Sequence, residues 1–469
     1  MRLTTGGRHH RGSRPDAGGP RQPPTKEEDR VKRRSWLAAL AVVLGAALAT
    51  TVFAGAGFSR TASPQARKAT TIDVLSLWGG SEKDAFIKVT DAFTKKTGIK
   101  VQYETARDFI PAIRTRLAAG NPPDVAIVPR PGYLATLAKD NAFKNLSTMG
   151  FTSSYMKSRY TGGWISLGTV GGKLYGLAVK ANSKSVIWYR PDSFKKYHFK
   201  IPTTWTQLIA LTKAYKAKGL TPWGLGCGPG PSSWTLTDWF ENIYARTAGT
   251  AKYDNLFAGK LKFTDASVIS ALQRMTSILN DKYIAGGGVQ GALGRSFNSG
   301  IAQVFGSNPQ AQLYMEGGFV GGIAIGQVNP SLTPGKTIAF FPWVTIDPKR
   351  DSPLIGGGDL AAAFKDSPDI RTFLKYLTTP EAGSIWVSTG AVISPNKQVK
   401  GGSYPNALVR AEAKQVAAAK IFRFDGSDLM PGALGDTWGS ALQDVLQKPS
   451  NAKKTMAAFQ KEADKAYHG

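Results

Sequence analysis

The chain has 469 residues, which exceeds the usual size of a single hydrophobic core and favours two globular lobes. Its formal net charge is +28, from 60 Lys and Arg against 32 Asp and Glu. The single cysteine, Cys227, excludes an intrachain disulfide. It lies in a Gly/Pro-rich stretch without a histidine nearby in sequence, which favours an unpaired small residue over a nucleophile. No cysteine lies just after the apolar N-terminal run, so acylation of the usual lipoprotein kind is also excluded.

The N-terminal segment is predicted to direct export. Residues 1–35 are rich in Arg, Gly and Pro, which is typical of a disordered basic tail. Residues 36–58 carry no charge and are long enough to span a bilayer, and the basic residues just before them predict that the tail stays in the cytoplasm. Two interpretations remain, a retained transmembrane anchor and a signal peptide cleaved at 54–56. The Arg33-Arg34 pair resembles a twin-arginine signal, so the export route also stays open.

The positive charge is spread along the part that follows the export segment. Residues 1–35 contribute a net +6, which leaves about +22 for the rest. Nucleic acid is excluded as a partner because the charge is dispersed and the domain is expected outside the cell. An anionic cell wall or lipid headgroups are better candidates, and a basic surface without a specific partner is the alternative.

Strands and helices alternate from residue 71, after a polar basic linker at 59–70. Apolar residues recur at helical spacing in some segments and run continuously in others. The predicted elements are a strand at 71–77, a helix at 82–97 that starts at Ser81 and stops at Gly98, a strand at 99–103, a helix at 109–117 and a strand at 124–128. This order predicts an α/β fold with a parallel sheet and crossover helices.

The alternation continues in the second half of the chain. We predict a strand at 185–189, a helix after a capping box of Thr204 and Gln207, a short strand at 301–305, a helix opened by Ser367, and helices over about the last 30 residues. The recurrence of the pattern supports a second α/β lobe.

Four groups of short motifs follow one another in a recognisable order. They are LWGG at 77–80 with TGIKV at 97–101; AGNPPDV at 119–125; GKLYGL at 172–177 with WYRPD at 188–192 and IPTTW at 201–205; and GGGD at 356–359 with FLKYLTTPE at 373–381. With these motifs the chain resembles the bacterial extracellular solute-binding proteins of ABC carbohydrate importers, the group that includes maltose-binding protein. The segments WTLTDWFEN at 234–242 and RTAG at 246–249 resemble its alpha-glucoside-binding branch.

The resemblance implies a two-lobed periplasmic-binding-protein-like fold with a hinge and an interlobe ligand cleft. By analogy the N-lobe comprises 71–182 and 301–364, and the C-lobe comprises 183–300 and 365–469. Proteins of this kind close on their ligand by hinge bending.

Ligands of open parallel sheets bind beyond the carboxyl ends of the strands, so the loops after the first and third strands are expected to face the ligand. A sugar needs aromatic platforms for its apolar face and fixed polar groups for its hydroxyls. The candidate ligand-binding residues are Trp78, Gly79, Ser81, Arg107, Arg130, Trp234, Asp238, Trp343, Gly358 and Asp359. For the three tryptophans the alternative is a place in the core, and for Asp359 it is a turn or cap.

Asp238 and Glu241 are three residues apart and could be a glycosidase pair. Two such carboxylates must flank the scissile bond, which one helical face does not provide, so we expect no enzyme. His198 and His468 lie far apart without clustered acids, so we expect no metal site, and no motif indicates a cofactor.

These observations predict an extracellular substrate-binding subunit of an ABC transporter. It captures a carbohydrate, an oligosaccharide or alpha-glucoside, by hinge closure and delivers it to the membrane permease. We expect a monomer, either anchored on the outer face of the plasma membrane or secreted. The alternatives are a carbohydrate-processing enzyme and a cell-surface sugar-binding protein without a transport role.

Overall fold

A computed structural model of the protein describes residues 70–228 and 232–468. The predicted basic tail, the export segment at 36–58 and nearly all of the linker lie outside the described residues. Within the described ranges, no helix is long and apolar enough to cross a membrane.

The described residues form strands and helices in alternation. The strands are β1 (Thr71–Ser76), β2 (Lys100–Thr105), β3 (Val125–Val128), β4 (Thr169–Val170), β5 (Lys173–Leu174), β6 (Leu177–Ser183), β7 (Val186–Tyr189), β8 (Trp223–Gly224), β9 (Leu313–Met315), β10 (Ala339–Pro342), β11 (Leu354–Ala363) and β12 (Phe422–Phe424). The helices of the first half are α1 (Gly80–Thr97), α2 (Phe109–Ala118), α3 (Pro131–Lys139), α4 (Ser153–Arg159), α5 (Gly162–Leu167), α6 (Pro191–Tyr197), α7 (Trp205–Ala217) and α8 (Trp234–Thr247). Those of the second half are α9 (Thr250–Phe257), α10 (Ala266–Ile278), α11 (Gly288–Leu293), α12 (Phe297–Phe305), α13 (Val320–Ile323), α14 (Pro368–Leu377), α15 (Pro380–Ser388), α16 (Ala407–Ala418), α17 (Gly426–Leu429), α18 (Leu434–Gln447) and α19 (Ala452–His468).

The first sheet confirms the predicted βαβαβ start. β1 pairs in parallel with β2 and β3, and α1 and α2 are the crossovers between them. α1 ends as predicted at Gly98, whose φ of 76° places it in the left-handed region that glycine adopts most readily. It begins earlier than predicted, with Gly79 as N-cap, so Ser81 lies inside the helix. The sheet continues through β11, which is antiparallel to β3 and β6 and parallel to β12.

The second sheet has the order β10-β7-β9-β8. The predicted capping box is present at the start of α7, where Thr204 accepts from the backbone N–H of Gln207 and Gln207 reaches back to the N-cap backbone. α8 lies at the centre of this lobe's core, with the Trp239 ring centroid 5.0 Å from that of Trp223. Two α/β lobes therefore form around separate cores.

The cores divide the chain differently from the expected lobe boundaries. Segment 301–342 was expected in the N-lobe, but β9 and β10 pair with β7 of the second sheet. Residues 370–409 were expected in the C-lobe, but their apolar side chains pack on β1 and α1 in the first core. Ring contacts between Phe93 and Phe373, with centroids 5.1 Å apart, carry this packing. Apolar residues of 434–463 pack in the C-lobe core.

The short strand predicted at 301–305 is wrong, because these residues form the second half of α12. Ser296 caps the helix by accepting from the backbone N–H of Ser299. The buried residues Gly300, Ile301, Val304 and Phe305 then repeat at helical spacing. A short apolar run by itself fits a strand or a helix, and the capping serine Ser296 favours the helix.

The chain passes from one core to the other at three places. They are the step from β6 to β7, the start of β11, and the segment from β12 into α17. The last of these also touches the N-lobe, because the N–H of Gly432 donates to Thr136 Oγ1 of α3 at 3.0 Å. The charged residues described below lie at these crossings.

Gly132 in α3 tests the contact between α3 and the crossing segment that follows β12. A Cβ at this position would lie 2.1 Å from the carbonyl oxygen of Met430, so Gly132→Ala must push the crossing segment away from α3. We expect a loss of about 1–3 kcal/mol in the free energy of unfolding, measured by urea denaturation. Gly162→Ala is the control, since nothing lies within 4 Å of its Cβ. Equal stability of the two variants would show that the contact is not close-packed.

Candidate functional site

Two buried lysines mark the boundary between the lobes. Lys180 lies in β6 and is 5% exposed, and Lys184 follows the strand and is 7% exposed. An ammonium group is costly to bury unless carboxylates pair with it. Both lysines are paired, and we call the lysines together with Glu82, Asp238, Asp359, Asp425 and Asp428 the interlobe cluster.

Lys180 joins the start of α1 to β11. Its Nζ lies 2.6 Å from Glu82 Oε1 and 3.6 Å from Asp359 Oδ2. It also lies 5.2 Å from the ring centroid of Trp78 and 5.7 Å from that of Phe319. Burial lowers the pKa of Lys180, but the two carboxylates outweigh burial and raise the pKa above its usual value. The lysine therefore stays charged between two aromatic rings.

Lys184 joins α8 to the crossing segment before and within α17. Its Nζ lies 3.2 Å from Asp238 Oδ1 and 3.6 Å from Asp428 Oδ2, and it forms a further ion pair with Asp425. Burial lowers the pKa of Lys184, and the attraction of these three carboxylates raises it well above the usual value. One side chain thus holds together two elements that are far apart in sequence.

Trp78 and Asp359 are in contact with each other. The Trp78 Nε1–H donates to Asp359 Oδ2 at 3.1 Å, and the indole is 1% exposed. Its ring centroid lies 5.1 Å from that of Trp386, edge to face. Trp78 is therefore a core residue that orients Asp359. Asp359 lies inside β11 and is not a turn or cap residue.

Gly79 and Gly358, both predicted site residues, allow neighbouring groups to pack closely against the backbone near Lys180. A Cβ on Gly358 would lie 2.4 Å from the backbone oxygen of Lys180 and 2.9 Å from the ring of Trp164. A Cβ on Gly79 would lie 3.1 Å from Nη2 of Arg107, which is exposed beside the start of α1. Ser81 accepts a hydrogen bond of 2.8 Å from Gln327 Nε2, which links α1 to the π segment Ala324–Val328 of the C-lobe.

Trp234 supplies the partly exposed aromatic surface of the site. It is half-buried at the start of α8, with its ring centroid 4.9 Å from that of Phe297 and 6.0 Å from that of Phe319. Lys184 Nζ lies 5.3 Å from the same ring. Three aromatic side chains and a lysine thus border one another where the lobes meet.

Arg130 extends the cluster on the N-lobe side. Its guanidinium lies 2.7 Å from Asp436 and 3.5 Å from Asp428, so the loop after β3 is tied to α17 and α18. Trp343 lies elsewhere. It is 5% exposed in the C-lobe core, with its ring centroid 5.2 Å from that of Trp239.

The structure therefore brings nine of the ten predicted ligand-binding residues to the boundary between the lobes, and it places the tenth in the C-lobe core. Trp78, Gly79, Ser81, Arg107, Arg130, Trp234, Asp238, Gly358 and Asp359 lie at or beside the interlobe cluster, whereas Trp343 does not. Sequence reasoning missed Lys180, Lys184, Glu82, Asp425, Asp428, Trp164, Phe297 and Phe319. The two lysines in the otherwise apolar run around β6 were the signal that could have revealed the cluster, because charge in a buried strand requires partners.

Asp238 and Glu316 are both fully buried, and each carboxyl group influences the pKa of the other. Burial raises the pKa of Asp238 well above its usual value and that of Glu316 to about 8. The raised pKa values favour the neutral acids, which lowers the negative charge around Lys184.

Glu241 has a different role from Asp238. Its carboxylate accepts from the backbone N–H groups of Gly426 and Ser427 at 2.8 and 2.9 Å, and from the hydroxyl of Tyr253 at 2.5 Å. These contacts hold the crossing segment in place. Glu241 and Asp238 therefore face different partners, and the geometry gives them no common function as an acid pair.

Two cavities of about 350 Å³ also lie near the lobe boundary. The lining of one includes Ser81, Gly318, Gly326 and Glu412, and that of the other includes Ser185, Arg246 and Trp343. Neither is lined by Lys180, Lys184 or Trp234.

Comparison with known proteins agrees with this geometry. The family model described as bacterial extracellular solute-binding protein matches residues 79–384. The chain belongs to this family of solute-binding proteins. Its members are binding proteins, and the match runs from the Gly79 loop to α15, so it includes both lysines and β11.

Several relatives of this solute-binding protein are known. It is 32% identical over 377 residues to the osmoprotective compounds-binding protein GgtB of Synechocystis sp., covering 80% of this chain and 88% of the relative. It is 31% identical over 383 residues to the alpha-glucosides-binding periplasmic protein AglE of Rhizobium meliloti, covering 78% and 81%. A chitin oligosaccharide binding protein superposes with a TM-score of 0.73 at 19% identity, over 86% of this chain and 100% of the other. That likeness confirms the two-lobed α/β fold.

The Lys184 ion pairs generate a stability prediction. Lys184→Met would leave Asp238, Asp425 and Asp428 buried without their cation. We expect a loss of about 3–5 kcal/mol in the free energy of unfolding, measured by denaturant titration at neutral pH. Lys96→Met, which removes a surface ion pair with Glu381, is the control and should cost about 0–1 kcal/mol. A variant of Lys184 as stable as that control would contradict the role given to the lysine.

The carboxyl pair generates a pH prediction. Because burial raises the pKa of Glu316 to about 8, its contribution to stability is complete below about pH 4.3 and is lost as the pH rises through 8. Glu316→Gln should therefore make the free energy of unfolding fall less steeply between pH 6 and pH 8, by up to about 1.4 kcal/mol per pH unit. Glu381→Gln at the surface should keep the wild-type slope. Parallel slopes for all three proteins would show that Glu316 is already ionised at neutral pH.

Proposed function

We propose that this protein is the extracellular substrate-binding subunit of an ABC importer and that it captures an alpha-glucoside or a related small oligosaccharide between its lobes. The interlobe cluster with Trp234 and Phe319 is the observation that carries this proposal. An aromatic surface beside fixed carboxylates matches a sugar, which has an apolar ring face and an edge of hydroxyl donors. The relative named for alpha-glucosides supports an alpha-glucoside as the ligand, and the relative named for osmoprotective compounds leaves the choice of small solute open.

The charges of the cluster support a neutral ligand over an anionic one. Each lysine already has at least two carboxylates around it, so an added anion would meet mostly negative groups. Sugar hydroxyls can instead donate to Asp359 and Asp428, whose positions are fixed by Trp78, Lys180 and Arg130. Preorganised acceptors of this kind give orientation and specificity without a change in net charge.

Capture requires the lobes to separate and close again. The crossings at the end of β6, the start of β11 and the end of β12 are the natural hinge, because the chain passes between the two lobe cores there. In the proposed cycle the sugar enters when Ser81 and Gln327 part, and closure returns them to contact. The closed protein then docks on the membrane permease.

The proposed place of action is the outer side of the cell membrane. Residues 36–58 would either retain the protein there or be removed during export. The basic surface would then face the anionic cell wall or lipid headgroups. Because Asp238 is held by Lys184 and Glu316, and Glu241 by backbone N–H groups, we propose binding without hydrolysis.

Calorimetry with maltose and trehalose tests the function directly. We expect saturable binding of at least one alpha-linked glucoside, with the sugar recovered intact. Absence of binding to any glycoside would contradict the proposal. Release of monosaccharide would support the carbohydrate-processing alternative in its place.

Trp234 tests the location of the sugar. Trp234→Ala should weaken binding by about 1–3 kcal/mol, or roughly 5- to 150-fold in Kd, because the ring face is lost. Trp234→Phe keeps a ring against Phe297 and Phe319 and should lose much less. Trp205→Phe, at the start of α7 in the C-lobe core, should leave the affinity unchanged. Wild-type affinity in Trp234→Ala would place the sugar elsewhere.

A further inference from the structure

One of the two cavities lies at the other end of α8 from Trp234. It measures about 350 Å³, which is at the lower end of the range for small-molecule sites. Its walls come from the step between β6 and β7, the C-terminal half of α8, the segment before β11 and the segment between α16 and β12. The lining includes Ser185, Arg246, Trp343, Asp351, Gln415 and Lys420.

Arg246 is the unusual member of this lining. It is 3% exposed, and no carboxylate among the described residues forms an ion pair with it. Its Nη1 donates to the backbone and side-chain oxygens of Asn242 at 3.1 and 3.0 Å, and its Nη2 donates to the Pro353 carbonyl at 2.7 Å. These acceptors are neutral, so the positive charge is buried without a compensating negative charge. Such a charge is costly.

Two buried donors without an acceptor belong to residues that line the cavity. Neither the Nε–H of Arg246 nor the Nε1–H of Trp343 has an acceptor in the described part of the chain. The Arg246 guanidinium carbon lies 6.0 Å from the centroid of the Trp343 ring, so the two donors belong to neighbouring side chains. Buried N–H groups of native proteins almost always have partners. Desolvation also lowers the pKa of Arg246 to about 9, which still leaves it charged at neutral pH.

We propose that this cavity is a binding site for a small oxyanion, with phosphate or carboxylate chemistry, held by Arg246 and Trp343. A guanidinium presents donors in a fixed fork that matches the oxygens of such groups. Lys420, at the cavity edge, adds positive charge. The one acidic side chain of the lining, Asp351, is exposed and forms no ion pair with Arg246.

The site is separate from the interlobe cluster but connected to it. Asp238, Asn242 and Arg246 are four residues apart on one face of α8. Asn242 Nδ2 donates to the Lys184 carbonyl at 2.8 Å, and Ser185 Oγ donates to Asn242 Oδ1 at 2.6 Å. The anion would therefore be bound where the chain crosses between the lobes, one hydrogen-bonded residue, Asn242, away from Lys184.

Isothermal titration of the exported protein with sodium phosphate and with sodium acetate, in Tris chloride at fixed ionic strength, tests the site. We expect saturable binding of at least one anion at one site per chain. Arg246→Gln should weaken it at least tenfold, and Arg371→Gln, which removes a surface arginine paired with Asp366, should leave it unchanged. No saturable binding to the wild-type protein, or equal binding by Arg246→Gln, would overturn the proposal.

Two further variants address misfolding of Arg246→Gln and the chance that Asp351 is the counter-ion of Arg246. If Arg246→Gln fails to fold, Ala419→Leu keeps the arginine and fills the cavity, and it should abolish anion binding. Binding retained by Ala419→Leu would overturn the proposal. Asp351→Asn should bind the anion at least as tightly as the wild-type protein. If it binds while the wild-type protein does not, Asp351 is the counter-ion and the proposal fails.

Discussion

The ion pairs of Lys184 are the interaction on which the rest of the site depends. The lysine lies at the step where the chain leaves the first sheet and enters the second. From there it holds Asp238 of α8, and Asp425 and Asp428 of the segment that crosses back. A buried cation of this kind fixes position well, because any displacement leaves charges without partners in a medium of low dielectric constant. The lobes therefore meet in one defined register.

The remaining polar groups follow from this arrangement of charge. Carboxyl groups outnumber lysines between the lobes, and burial raises the pKa of Asp238 and of Glu316, which favours their neutral forms. Glu241 is satisfied by backbone N–H groups of the crossing segment. At the C-terminal end of α8 the balance of buried charge is reversed, because the positive charge of Arg246 lies among neutral acceptors. α8 thus runs from an acid-rich boundary that suits hydroxyl donors to a cationic cavity that suits an oxyanion.

The sequence predicts much of the fold and part of the site. Local signals in the residues themselves predict the βαβαβ start, the capping box at Thr204 and Gln207, and the glycines Gly79 and Gly358. The lobe boundaries differ from expectation because strand pairing with β7 and packing on α1 are long-range events without a local signature. Lys184 was missed for the same reason, since its three partners lie at sequence distances that no motif spans. Trp343 was misplaced because a Gly/Pro-rich neighbourhood does not reveal that its indole packs on Trp239.

A crystal structure grown with the glucoside that binds tightest tests the central claim most directly. The account predicts a sugar between the lobes, with its ring against Trp234 and its hydroxyls within hydrogen-bond distance of Asp359 or Asp428. A sugar bound in either of the two described cavities, or on the surface of one lobe, would contradict it.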